Sequence, residues 1–180
     1  MLLILSTLWF ILPIGIANMM PVFAARLFPS ADLPLDFGRE FKKGPLFGSH
    51  KTWRGLAAAF IGGLLVFWIQ QWLSSQFEFI KLISLFNYAQ VPLIFGGILG
   101  LGAIFGDLLK SFFKRQMGIA PGDSWFPFDQ IDWYVGGLFF TTIYYVPSWQ
   151  IAVIGLALAL LLSLLFKAIG FWFGIDKKKF

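Results

Sequence analysis

Three carboxylates and a set of bases are spaced along this chain so that they can act together. In Gly106-Asp107-Leu108-Leu109-Lys110-Ser111-Phe112-Phe113-Lys114-Arg115, positions 107, 110, 111 and 114 follow the i, i+3, i+4, i+7 spacing of one helix face. That face presents a carboxylate, an ammonium, a hydroxyl and a second ammonium. In Pro127-Phe128-Asp129-Gln130-Ile131-Asp132-Trp133, two carboxylates stand at i, i+3 and converge on one point. Like charges at that spacing repel unless a cation lies between them or one is protonated. Asp107, Asp129 and Asp132 facing each other across two helices would suit Mg²⁺, a hard cation that prefers oxygen ligands. A third cluster, His50-Lys51-Thr52-Trp53-Arg54-Gly55, offers basic groups to phosphate oxygens, with Arg54 able to bind them in a bidentate way.

Each cluster also has a purely architectural explanation. Asp107 with Lys110 or Ser111 can make a self-satisfied helix end, and Lys110 taken alone is read that way. An acidic residue in a first helical turn is favoured by the helix dipole, which accounts for one aspartate better than for two. On charge alone, Lys51 and Arg54 are basic flanks of an apolar segment. Asn18, deep in an apolar stretch, needs a partner, either an interhelical one or a ligand.

The elements that carry these residues follow from composition. Of the 180 residues, 58% are hydrophobic and 13% charged, against about 25% charged in an ordinary soluble domain. Mean hydropathy is +0.79. Such a chain cannot clothe itself in polar side chains, so lipid must solvate much of it. The 23 Phe and 8 Trp agree with that, since rings settle at membrane interfaces. With no cysteine and one histidine, disulfides and thiolate sites are excluded and a histidine-built zinc site is disfavoured. The net charge of +5 sits mostly beside apolar segments and does not indicate nucleic acid.

The expectation is an all-α polytopic membrane protein forming one domain over 1–180, with about five transmembrane helices near 2–25, 53–73, 90–113, 127–147 and 151–173. Pro13 and Pro21 are expected to bend or break the first, which lacks a basic leader region and is read as retained. Loops 26–52 and 114–126 join the helices on one side. All basic residues but Lys81 fall on that side, which the positive-inside rule makes cytoplasmic, with the N-terminus outside and the C-terminus cytoplasmic. The 29–52 segment is rich in proline and glycine and reads as irregular, able to order itself around phosphates. Gly96/Gly100, Gly102/Gly106, Ala58/Gly62 and Ala59/Gly63 read as packing seams.

These residues resemble a known family. Ser111-Phe112-Phe113-Lys114-Arg115 followed by Asp129-Gln130-Ile131-Asp132 is similar to the signature of phosphatidate cytidylyltransferases (CDP-diacylglycerol synthases), in which Ser-x-x-Lys-Arg precedes Asp-Arg-x-Asp. Lys51-Thr52-Trp53 looks like their Lys-Thr-Trp-Glu-Gly element. Arg54 in place of Glu, and Pro127-Phe128-Asp129-Gln130-Ile131-Asp132, match the compact archaeal-type branch, CDP-archaeol synthase, better. The larger family's Lys-Asp is replaced by Ala120-Pro121, and its His-Gly-Gly by Trp125-Phe126-Pro127. Asp123 is a candidate stand-in for the missing carboxylate.

The resemblance implies transfer of a cytidylyl group from CTP to a lipid phosphate in phospholipid biosynthesis, at the cytoplasmic face of the cell membrane. The lipid would be digeranylgeranylglyceryl phosphate or a relative, with phosphatidate the alternative. It implies Asp107, Asp129 and Asp132 on Mg²⁺. It further implies Lys51, Arg54, Lys114 and Arg115 on phosphates, with Thr52 and Ser111 supplying shorter hydrogen bonds and Lys114 also catalytic; Asn18 is added as a candidate CTP contact from its place in the first helix. A homodimer stays open. The readings from other classes are a small transporter, which needs polar groups through the membrane midplane, and a non-catalytic scaffold.

Overall fold

A backbone deprived of water must satisfy its own N–H and C=O groups, and in a single apolar stretch only a helix does so. The computed structural model describes residues 1–42, 44–120 and 123–172. Its helices are α1 (Leu2–Leu27), α2 (Trp53–Gln76), a short α3 (Glu78–Ile83), α4 (Ile94–Gln116), α5 (Phe128–Thr141) and α6 (Trp149–Trp172), with a 3-10 turn at Tyr88–Gln90 before α4. By length and composition, four of them (α1, α2, α4 and α6) can cross a membrane.

The expected fourth span differs from what is found. At 14 residues α5 is about 21 Å long, short of the ~30 Å hydrocarbon core. It stops at Thr141, whose hydroxyl turns back to the Gly137 carbonyl at 2.9 Å. The segment after it carries Tyr144 against Phe95 and Tyr145 against Phe86, so the chain still reaches the far end of the bundle. The short α3, with Glu78 and Lys81 paired at 2.6 Å, is an element the apolar pattern did not reveal.

Two seams of small residues set the helix spacing. A Cβ on Gly100 would lie 2.3 Å from the Ala59 carbonyl oxygen of α2. On the other side of α4, a Cβ on Gly106 would lie 2.0 Å from the Asp132 carbonyl oxygen of α5. Both distances are far inside van der Waals contact, so only glycine permits these approaches. The expected pairs at 96/100 and 102/106 thus face α2 and α5 respectively.

Of the bend or break expected at the prolines, α1 shows no break: it runs as one helix through both. Pro13 has no N–H to give the Trp9 carbonyl, and the Gln70 side-chain amide of α2 donates to that oxygen instead, at 2.5 Å. The core is aromatic at one end, where Phe67, Phe86, Tyr88 and Phe95 pack together, and Trp68 and Trp72 remain exposed on the outside. Apart from the Glu78–Lys81 pair on α3, the charged clusters lie at the opposite end. There the α1–α2 loop closes through a two-stranded antiparallel hairpin, β1 (Glu40–Phe41) with β2 (Gly44–Pro45), so this segment is less irregular than its composition suggests. The basic residues Lys43, Lys177, Lys178 and Lys179, part of the orientation argument, lie outside the described residues, as does Pro121.

Candidate active site

The Gly106 seam brings α5 against α4 at the point where both helices carry acid. Asp107 lies one residue beyond that glycine, and Asp132 is the very residue whose carbonyl it touches. The ammonium of Lys110, one turn along α4, then stands between the three carboxylates: 3.0 Å from Asp107 Oδ1, 2.8 Å from Asp132 Oδ2 and 3.2 Å from Asp129 Oδ1. The expected convergence is therefore present, and a cation stands at its centre. Lys110, which the sequence reading left as part of a helix end, is its hub; its place on the 107/110/111/114 face was the signal.

The neighbours complete the charge balance. Lys51, just before α2, pairs with the second oxygen of Asp107. Lys114 reaches both oxygens of Asp129 at 3.0 Å and the Asp123 carbonyl at 2.5 Å. The backbone N–H of Trp125 donates to Asp129 at 2.6 Å, and that of Trp133 to Asp132 at 2.7 Å. Three carboxylates and three ammonium groups so form one network, and Lys114 and Asp132 within it are buried.

Beside the network opens a cavity of about 400 Å³ between the α1–α2 loop and the end of α4. Lys110, Ser111, Lys114 and Arg115 line it from α4, and Asp36, Phe47, Gly48, Ser49, His50 and Lys51 from the loop. Ser111 is buried in the α4 wall, and Arg115 is steadied by donating to the Ile119 carbonyl. This is a basic pocket against an acidic cluster, the arrangement expected for a polyphosphate held with a cation.

Three of the expected ligand-contacting residues are placed elsewhere. The guanidinium of Arg54 donates to the Phe28 carbonyl beyond the end of α1, where it ties α1 to α2 instead of lining the cavity. Thr52 is the N-cap of α2, its hydroxyl accepting from the Gly55 N–H at 3.2 Å, as a threonine before a helix does. Asn18 is half-buried in α1, one turn on from Ile14, which abuts Gly137, and from Gly15, which abuts Trp133. It therefore stands on the α5-facing side of α1 and outside the cavity lining.

Asp36 went unmarked in the sequence reading. It is buried within the α1–α2 loop and accepts from the backbone N–H groups of Gly38 (3.0 Å), Phe47 (3.0 Å) and Gly48 (3.1 Å). Burial alone would raise its pKa, but those three donors outweigh it and hold the carboxyl below its ordinary 3.8. The Asp36-Phe37-Gly38 turn pattern was the available signal.

Comparison with known proteins decides the family. The CarS-like CDP-archaeol synthase family model matches residues 1–180. The chain belongs to the CDP-archaeol synthase family. Among its relatives, the CDP-archaeol synthase of Methanosarcina acetivorans is 38% identical, over 89% of this chain and 99% of the relative. That of Methanoculleus marisnigri is 35% identical, over 87% and 95%. A solved structure described as an intramembrane enzyme for archaeal membrane lipids biosynthesis superposes with a TM-score of 0.71 at 31% identity, covering 88% of this chain and 90% of that one. As a CDP-archaeol synthase family member the chain is an integral membrane enzyme, a CTP-dependent lipid-phosphate cytidylyltransferase of lipid biosynthesis.

Proposed function

We propose that the enzyme transfers the cytidylyl group of CTP to an archaeol-type lipid phosphate, digeranylgeranylglyceryl phosphate or a close relative, in a Mg²⁺-dependent reaction at the cytoplasmic face of the membrane. The observation that carries this reading is the convergence of Asp107, Asp129 and Asp132 on one cationic point beside a basic cavity. The names of the relatives support the archaeol-type lipid over phosphatidate.

In this reaction a phosphate oxygen of the lipid attacks the α-phosphorus of CTP. The bond from that phosphorus to the β-bridging oxygen breaks, and pyrophosphate leaves. No side chain needs to form a covalent bond, so the protein contributes position and charge. Lys114 and Arg115 with the Ser111 hydroxyl on the α4 wall, and Lys51 from the loop, would hold phosphate oxygens. Lys114 is suited to the developing charge, being buried and anchored by Asp129 and the Asp123 carbonyl.

Mg²⁺ is inferred from charge and donor chemistry. Among the described residues, no three acidic side chains form a ready metal cage, and the three aspartates are instead shared by Lys110. Yet the network is neutral as it stands, with three acids against three ammonium groups, and a triphosphate adds about four negative charges that these ammonium groups alone cannot balance. The donor set is all carboxylate oxygen, which fits a hard divalent ion once the flexible Lys110 stem turns toward phosphate. When bound, the ion would supply Lewis-acid neutralisation of the phosphate oxygens. Arg54, first assigned to phosphate, takes a positioning role at the end of α1.

The topology proposed is N-terminus outside and C-terminus cytoplasmic, with α5 and residues 142–148 together completing a fifth crossing. Basic residues gathered at the charged end support it. The lipid chains would lie along exposed apolar helix faces that open beside the cavity. A transporter is disfavoured because Asn18 and the buried Gln70 are scattered amides, and Gln70 is already committed to the Trp9 carbonyl. The test is incubation of purified protein with CTP, Mg²⁺ and a panel of lipid phosphates. A CDP-lipid of matching mass with the archaeol-type substrate supports the reading, and none with any lipid overturns it.

A further inference from the structure

The two walls of the cavity differ in kind. The α4 wall is helix and carries Lys110, Lys114 and Arg115, while Lys51 comes from the loop. The facing wall is a loop with two strands of two residues each and little else in regular structure, yet Phe47, Gly48, Ser49 and His50 must hold a fixed shape if they are to receive a ligand. Short hairpins are marginal on their own, so the loop needs another source of order.

Asp36 is that source. Its carboxylate, 4% exposed, gathers the Gly38, Phe47 and Gly48 N–H groups. Two of these bonds span eleven and twelve residues, so a single side chain closes the whole hairpin onto its base. The adjacent Leu35 N–H donates to the Lys51 carbonyl at 2.7 Å, and the Trp53 N–H donates to the Leu33 carbonyl at 3.1 Å. The turn carrying Asp36 is thereby fastened to the residue whose side chain reaches Asp107. A carboxylate beside a triphosphate pocket would ordinarily repel the ligand. Here its charge is met by three amides, so it orders the wall at little electrostatic cost.

We propose that Asp36 is a positioning residue for nucleotide binding, holding the Phe47–Gly48 backbone as the wall on which the nucleoside end of CTP rests while taking no part in the transfer step. The proposal rests on the reading of this cavity as the CTP site. It separates the ends of the ligand by charge: triphosphate toward Lys51, Lys114 and Arg115, nucleoside toward the uncharged Phe47, Gly48 and Ser49.

The test compares Asp36→Ala and Asp36→Asn with the wild-type enzyme in detergent, using CTP and a lipid phosphate. In Asp36→Ala the KM for CTP rises about tenfold or more while kcat changes less than about threefold, because binding and not the transition state has lost support. Protease nicking between 37 and 50 increases in the ligand-free variant and is suppressed by saturating CTP. The helical bundle melts as in wild type. Asp36→Asn, which keeps one accepting oxygen, falls between the two and serves if the alanine variant does not fold. A wild-type KM in both variants overturns the proposal, as does a loss confined to kcat or one that only tracks a lowered melting temperature. A wild-type enzyme without CTP turnover would instead sink the reading of the cavity, and the nicking pattern would still report whether Asp36 holds the loop.

Discussion

Replacing Lys110 with Met keeps most of the stem and removes the charge, and the geometry says which carboxylate suffers. Asp107 retains Lys51, and Asp129 retains Lys114 at 3.0 Å. Asp132 has Lys110 as its cation, at 2.8 Å, and keeps only the Trp133 N–H on its other oxygen. Its side chain is 7% exposed and that of Lys110 14%, so solvent screens the pair little. Orphaning one partner of a buried pair costs about 3–5 kcal/mol. At about 2–4 °C per kcal/mol for a chain of this size, metal-free Lys110→Met should melt about 6–20 °C below wild type. The assay is thermal unfolding in detergent with chelator, repeated with millimolar Mg²⁺. Added Mg²⁺ should raise the melting temperature of the variant more than that of wild type, because the position left by the ammonium can then be filled. Asp132→Asn should relieve the cost in the Lys110→Met background. A variant that melts within about 2 °C of wild type, or an Asp132→Asn change that adds further loss, would refute the shared-ammonium network.

Three further outcomes follow from the packing and the loop. Gly106→Ala must part α4 from α5, since its Cβ would lie 2.0 Å from the Asp132 carbonyl oxygen; turnover should fall about a hundredfold, whereas Gly44→Ala, with nothing within 4 Å of its Cβ, should leave stability within about 0.5 kcal/mol. Gln70→Leu should cost about 1–3 kcal/mol by leaving the Trp9 carbonyl unpaired, and Pro13→Ala in the same chain should recover most of it by restoring the missing N–H, which paired melting curves would show. For Asp36 the folded pKa is depressed, so its stabilisation of the loop is fully present above the ordinary 3.8 and is lost as pH falls through the lower folded value. Hydrogen exchange at the Phe47 and Gly48 amides should accordingly show protection that is flat from neutral pH down to that range and collapses below it.

The long helices were legible because an apolar stretch of about 20 residues has one way to satisfy its backbone in lipid. The extent of α5 was not. Residues 135–147 stay largely apolar, and Pro147 was the visible stop, while the helix ends at Thr141 in a turn that composition does not betray. The meeting of Asp107 with Asp129 and Asp132 was legible from the shared face on α4 and the i, i+3 pair on α5. What spacing along one helix could not tell is that Lys110 serves acids on both. The guanidinium of Arg54 finds the Phe28 carbonyl, a partner 26 residues away whose availability follows from where α1 ends. Gln70 reads as an ordinary polar residue until the oxygen that Pro13 leaves bare is set beside it. Asp36 has the same character: its Gly38 contact is local, but its value lies in amides eleven and twelve residues on.

The central claim is that Asp107, Asp129 and Asp132 act as one centre that holds a divalent ion for cytidylyl transfer. The direct measurement is the Mg²⁺ dependence of CDP-lipid formation by the single Asn variants at these three positions, with each variant's fold checked by its melting curve. Folded variants should lose turnover by about a hundredfold or more, and any residual activity should need higher Mg²⁺. Folded variants that retain wild-type turnover at wild-type Mg²⁺ concentrations would contradict the account.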